Sequence, residues 1–106
     1  MKNKSLGQLK KRIQRAKNPD QLKKIEQSCN WGNCAVGTKL REFGIDLDSV
    51  IAAKKVSAYY VLRQLVKPEI INKGENFNYD LDNGDKDKAL KFIKELESSG
   101  PLDILA

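Results

Sequence analysis

The chain lacks histidine and has few of the other residues on which catalytic and metal sites depend. Its 106 residues include two cysteines and one tryptophan. A zinc site normally has four cysteine or histidine ligands, which Cys29 and Cys34 could complete only with carboxylates or a second subunit. A nucleophilic cysteine or serine would lack a histidine base, and the sequence has neither a glycine-rich phosphate loop nor a Gly-x-Ser-x-Gly motif. We therefore expect a protein that is not an enzyme, with no metal site and no cofactor.

Long apolar runs are also missing. The longest unbroken apolar stretch is the five residues from Ala58 to Leu62, and no apolar run follows the positive charges of the N-terminal segment. Neither a membrane span nor a secretory signal is therefore expected, which favours a cytoplasmic protein. With 40% hydrophobic and 32% charged residues, the composition is that of a globular protein. Its length predicts a single domain over residues 1–106.

The two cysteines enclose the only tryptophan, in the segment Cys29-Asn30-Trp31-Gly32-Asn33-Cys34. In a reducing compartment we expect two free, largely buried thiols, whereas an oxidising environment would favour a short-loop disulfide. We expect Trp31 to fill the junction between the flanking helices. Alternatively, an exposed Trp31 would be a stacking platform or an interface anchor, so it is a candidate interface residue.

Acidic residues are nearly absent from the beginning of the chain. Nine of the first 24 residues are Lys or Arg and only Asp20 is acidic, whereas residues 46–106 contain nine basic and eleven acidic residues. The net charge of +6 is therefore concentrated at one end. Such an asymmetry is typical of a surface that meets nucleic acid, an anionic membrane or an acidic protein. The narrow apolar side of this segment lacks Trp and Phe, which argues against a membrane.

The hydrophobic periodicity predicts a mostly all-α fold, a small bundle of four to five helices. Apolar residues recur at helical spacing in the N-terminal segment, and Asn18 and Pro19 form a start signal for a second helix. The expected parts are a basic helical hairpin at 1–28, central helices at 34–66 with one long helix over about 48–66, and a C-terminal helix at 85–98. Phe77, Tyr79 and Leu81 alternate with polar residues, which predicts a short extended segment at 76–81.

Two more specific functions fit the sequence poorly. A helix-turn-helix over residues 34–66 would begin its recognition helix at Asp48, where the residues are acidic and apolar and do not suit DNA. Asn78 and Asp80 begin an acidic stretch, but neither starting position places Gly sixth and Glu twelfth, as an EF-hand calcium loop requires. We therefore expect a solvated turn and a helix cap there.

The basic hairpin is the candidate site. Phosphate contacts by its lysines and arginines would provide affinity without sequence specificity. We predict a small non-catalytic protein that contacts nucleic acid or a nucleoprotein complex there. The alternative is an interaction or inhibitor module, of the kind found in phages and mobile elements, that binds an acidic protein surface. The candidate nucleic-acid-binding residues are Lys10, Lys11, Arg12, Arg15, Lys17, Lys23 and Lys24.

Overall fold

A computed structural model describes residues 5–28 and 34–106. These two ranges contain eight helices and no strand longer than an isolated bridge. The helices are α1 Leu6–Arg15, α2 Pro19–Gln27, α3 Cys34–Glu42, α4 Leu47–Lys54, α5 Ala58–Leu65, α6 Pro68–Asp82, α7 Lys86–Ser98 and α8 Pro101–Ile104. The mostly all-α prediction is confirmed, but the helix count of four to five is too low. Within the described residues, no helix has the length and hydrophobicity needed to cross a membrane.

Helix α3 lies at the centre of the molecule. Six consecutive residues, 35–40, are buried, so the helix has neighbours on every side. It packs against α1, α4, α6 and α7. The run includes Lys39, which is only 6% exposed and whose ammonium nitrogen lies 4.9 Å from the centre of the Phe43 ring. This contact gives the buried cation a cation–π partner.

Two helical hairpins pack against each other around α3. The long helices α6 and α7 form one hairpin, and α1 and α2 form the other. Helix α1 lies on α7, and α2 lies on α6. Every one of the eight helices contributes at least one buried apolar side chain to one continuous core. Phe77 of α6 and Phe92 of α7 meet there, with ring centres 5.7 Å apart.

The prediction of one long helix over 48–66 is wrong, because the chain breaks after α4. Lys55 has a φ of 54°, in the left-handed region, and its N–H donates to the carbonyl oxygen of Ile51. Ser57 then starts α5, since its hydroxyl accepts a hydrogen bond from the N–H of Tyr60 at 3.3 Å. A serine cap of this kind is a common start signal, and here it begins a separate helix where the hydrophobic periodicity indicated a continuous one.

The predicted extended segment at 76–81 is also wrong, because these residues belong to α6. Ile70, Gly74, Phe77 and Leu81 are buried at helical spacing, whereas Tyr79 is 68% exposed. The period-two alternation therefore does not describe one buried face. The predicted turn after α6 is confirmed: Gly84 has a φ of 77°, and Asp85 caps α7 by accepting from the N–H of Lys88.

The C-terminal segment folds back onto the core as a short helix. Ile104 of α8 is fully buried, whereas Leu102 is 87% exposed. Leu105 forms an isolated antiparallel bridge with Val66, and the N–H of Lys67 donates to the carbonyl oxygen of Ile104 at 2.9 Å. This pairing holds the junction between α5 and α6 against the end of the chain.

The helix break at Lys55 predicts an unusual response to glycine. Lys55→Gly should raise the free energy of unfolding by about 0.5–1 kcal/mol, because glycine adopts the left-handed conformation without the steric cost of a Cβ atom. Lys55→Ala should leave it nearly unchanged. Urea unfolding followed by circular dichroism measures both variants.

Lys54→Gly is the matched control, because Lys54 is the last helical residue of α4 and is also exposed. It should lower the free energy of unfolding by about 0.5–1 kcal/mol. A similar loss in Lys55→Gly would mean that the helix continues through residue 55.

Candidate nucleic-acid interface

Helix α1 is held in place at both ends by residues distant in the sequence. At its start, Ser5 accepts a hydrogen bond from the N–H of Gln8 at 3.2 Å, and the Glu42 carboxylate accepts from the N–H of Leu6 at 2.8 Å. At its end, the Lys86 ammonium donates to the carbonyl oxygens of Gln14 at 2.7 Å and Ala16 at 3.0 Å. Each end of the helix dipole therefore meets a charge of the favourable sign.

Helix α2 follows after a short connection and completes the predicted hairpin. Asn18 caps it by accepting a hydrogen bond from the N–H of Gln21 at 3.0 Å, with Pro19 in the first turn as the sequence indicated. The Arg12 guanidinium lies 3.5 Å from the hydroxyl oxygen of Ser28, which brings the end of α2 beside α1. Lys24 is one helical turn before Ser28 and therefore lies on the side of α2 that is nearer to α1.

The apolar sides of the hairpin face the core. Leu6, Leu9 and Ile13 of α1 are buried, as are Leu22 and Ile25 of α2. The basic side chains consequently point away from the core, and most of them are exposed. We define the basic face as five cations of the hairpin that lie outside its buried apolar sides: Lys11, Arg12, Arg15, Lys17 and Lys24.

The other two predicted site residues lie beside acidic partners. The ammonium of Lys10 is 2.8 Å from a carboxylate oxygen of Glu97, and both side chains are about one-third exposed. Burial and the charge of Asp82 raise the pKa of Glu26, and Lys23 lies close enough to oppose part of that rise. Their charges are therefore partly compensated within the molecule, so they would add less to anion binding than the basic face does.

The contact between α2 and α6 contains a pair of carboxyl groups. Burial raises the pKa of Glu26, and the neighbouring charge and hydrogen bond of Asp82 raise it further. Two carboxyl groups that share a hydrogen bond resist simultaneous ionisation. Burial likewise raises the pKa of Asp80, with a further contribution from the charge of Asp85. The end of α6 is therefore an acidic border next to the basic hairpin.

The expectation of free thiols is wrong for Cys34, which is disulfide-bonded at the start of α3. The chain's other cysteine, Cys29, lies outside the described residues. Trp31 does too, so its role as an interface residue stays a prediction. Among the residues that are described, no cluster of three or more His, Cys, Asp or Glu side chains is arranged to hold a metal ion.

Sequence reasoning missed the residues that orient the hairpin. Glu42, Lys86 and Glu97 contact α1 from 36 to 87 positions away in the sequence. Lys86 binds the end of α1 and Glu97 binds Lys10, so α1 and α7 run antiparallel. No local pattern marks these three residues, because each is an ordinary charged residue near the end of a helix.

Comparisons with known proteins add no functional information. No protein-family model matches the chain, and no curated protein or solved structure shows significant similarity to it.

The carboxyl pair predicts a pH-dependent effect of Glu26→Gln. The pKa of Glu26 is higher in the folded protein than its usual value near 4.5. Protonated Glu26 therefore stabilises the fold fully when the pH is below the usual value, and this stabilisation is lost as the pH rises through the raised pKa. Glutamine does not ionise, so the variant should melt at a higher temperature than wild type at pH 7, with a difference that shrinks towards pH 4.

Asp82→Asn provides the control for this pair. It removes the charge that opposes ionisation of Glu26, so it should also raise the melting temperature at pH 7, and the double variant should gain less than the sum. Fully additive effects in a double-mutant cycle would mean that the two carboxyl groups do not interact.

Proposed function

We propose that this protein is a small non-catalytic binding protein that contacts the phosphates of nucleic acid, alone or within a nucleoprotein complex, through the basic face of its N-terminal hairpin. The observation that supports the proposal is the separation of apolar and basic side chains on opposite sides of the hairpin. Their apolar side chains are buried against α6, α7 and the core, and four of the five cations of the basic face are exposed on the opposite side.

The chemistry of the basic face favours phosphate contacts over base recognition. Lysine and arginine bind phosphate oxygens irrespective of base identity. Neither α1 nor α2 carries an aromatic residue that could stack on a base. The proposed mode is therefore electrostatic and largely independent of sequence, with affinity that falls steeply as the salt concentration rises.

The proposal predicts the salt dependence of a triple variant. Lys11→Gln, Arg15→Gln and Lys24→Gln together remove three exposed charges and leave the apolar sides unchanged. The slope of log K against log salt for a random DNA duplex should become shallower by about two to three, at roughly 0.9 per lost phosphate contact. Fluorescence anisotropy over a range of salt concentrations measures this slope.

A matched control removes the same number of charges elsewhere. The three residues are Arg63 on α5, Lys67 immediately before α6, and Lys91 on α7. Their exchange for Gln changes the net charge equally but should leave the slope nearly unchanged. Equal effects of the two triple variants would indicate a response to net charge alone and would exclude the basic face as the site.

Two single variants test the compensated lysines. Lys10→Gln and Lys23→Gln should each weaken binding less than Lys11→Gln, because Glu97 and Glu26 already lie beside them.

A failure of the wild-type protein to bind duplex DNA and single-stranded RNA at low salt would contradict the proposal. That result would favour the alternative partner, an acidic protein surface.

A further inference from the structure

Residues 49–68 form a second basic region of the chain. They include four basic residues and no acidic one, although residues 46–106 as a whole contain more acidic than basic residues. They also include two of the three tyrosines. Basic and aromatic residues therefore occur together here, whereas α1 and α2 carry basic residues without aromatic ones. This combination is typical of surfaces that bind single-stranded nucleic acid.

Tyr60 lies on the exposed side of α5. It is 53% exposed, whereas Val61 and Leu62 of the same helix are buried in the core. Arg63 and Gln64 are also exposed, and they follow Tyr60 by three and four residues within α5. Residues at these spacings are neighbours on a helix surface. The Tyr60 ring is therefore accessible to solvent and is flanked by two polar side chains.

Two cations border Tyr60. The Lys54 ammonium donates a hydrogen bond to the side-chain oxygen of Gln64 at 3.3 Å, which brings it to the side of α5 that carries Tyr60. The Arg63 guanidinium lies 5.9 Å from the centre of the Tyr59 ring. In the part of the chain that the structure describes, neither cation forms an ion pair with a carboxylate. Their charges are therefore available to an anionic ligand.

We propose that Lys54, Tyr60 and Arg63, which we call the tyrosine surface, bind single-stranded nucleic acid. One base stacks on the Tyr60 ring, and the neighbouring phosphates contact the two cations. Stacking needs an exposed base face, which a single strand offers and an intact duplex does not. The Glu75 carboxylate accepts a hydrogen bond from the Tyr59 hydroxyl at the border of this surface, so we expect moderate affinity. The tyrosine surface lies on other helices than the basic face, and the inference does not depend on the basic face.

Anisotropy of a fluorescent oligothymidylate of about 12 nucleotides at low salt tests the role of Tyr60. The substitutions are made in the triple variant of the basic face, so that this face does not mask them. Tyr60→Ala should weaken binding roughly five- to a hundredfold, because stacking on one base is lost. Tyr60→Phe should bind like its parent, since the ring stacks and the hydroxyl does not.

Tyr79→Ala is the matched control. Tyr79 is 68% exposed and lies on α6, so its loss removes an exposed tyrosine outside the tyrosine surface. It should change oligothymidylate binding little. If Tyr60→Ala binds as tightly as Tyr79→Ala, the proposal is wrong.

The triple variant of the basic face separates this inference from the proposed function. It should still bind oligothymidylate, because the tyrosine surface is intact. Loss of single-strand binding in this variant would overturn the inference, whatever the result for duplex DNA. The duplex measurement reports only on the basic face.

Lys54→Gln combined with Arg63→Gln tests the phosphate contacts. For oligothymidylate, the slope of log K against log salt should become shallower by about 1.4, at roughly 0.7 per phosphate contact in a single strand. For a duplex it should stay nearly unchanged, as for the control variant that contains Arg63→Gln. An unchanged slope with oligothymidylate would contradict the role of the two cations. Both residues are exposed, so the fold should persist, which circular dichroism verifies.

Discussion

The structure depends on the burial of residues 35–40, the middle of α3. A helix that is buried on every side cannot lie on a surface, so its neighbours must enclose it. The helices that pack against it include α1 and the long pair α6 and α7. Even its lysine is accommodated without reaching solvent, because the ammonium of Lys39 lies over the ring of Phe43. The positions of the remaining helices follow from covering this central helix.

This enclosure determines which charges are available to a partner. Helix α1 covers α3 with its apolar side, and Glu42 at the end of α3 binds the first turn of α1. Lys86 then holds the other end of α1. With both ends held, the helix cannot turn its lysines towards the core, and the basic face has a defined orientation. The ion pair of Lys10 with Glu97 also uses some of the molecule's charge internally. For this reason we expect Lys10 to contribute less to anion binding than its neighbour Lys11.

Local signals in the sequence predicted several elements well. The cap at Asn18, the turn after α6 and the cap at the start of α7 lie where the residues indicated. The wrong predictions at Lys55 and at 76–81 share a cause. An apolar pattern alone does not decide between one helix and two, or between a strand and a helix, because tertiary contacts decide this. A left-handed lysine has no sequence signature, and Tyr79 looks like a core residue until the packing of α6 is known.

The candidate site was predictable only in part for the same reason. Its charges could be counted from the sequence, but the pairing of Lys10 with Glu97 joins residues 87 positions apart. The contact of α2 with α6 likewise places Asp82 beside Glu26. The break at Lys55 also has a dynamic consequence. It separates α4 from the hydrogen-bond ladder of α5, so α4 can open locally while the core stays folded, and its backbone amides should exchange with deuterium earlier than those of α3.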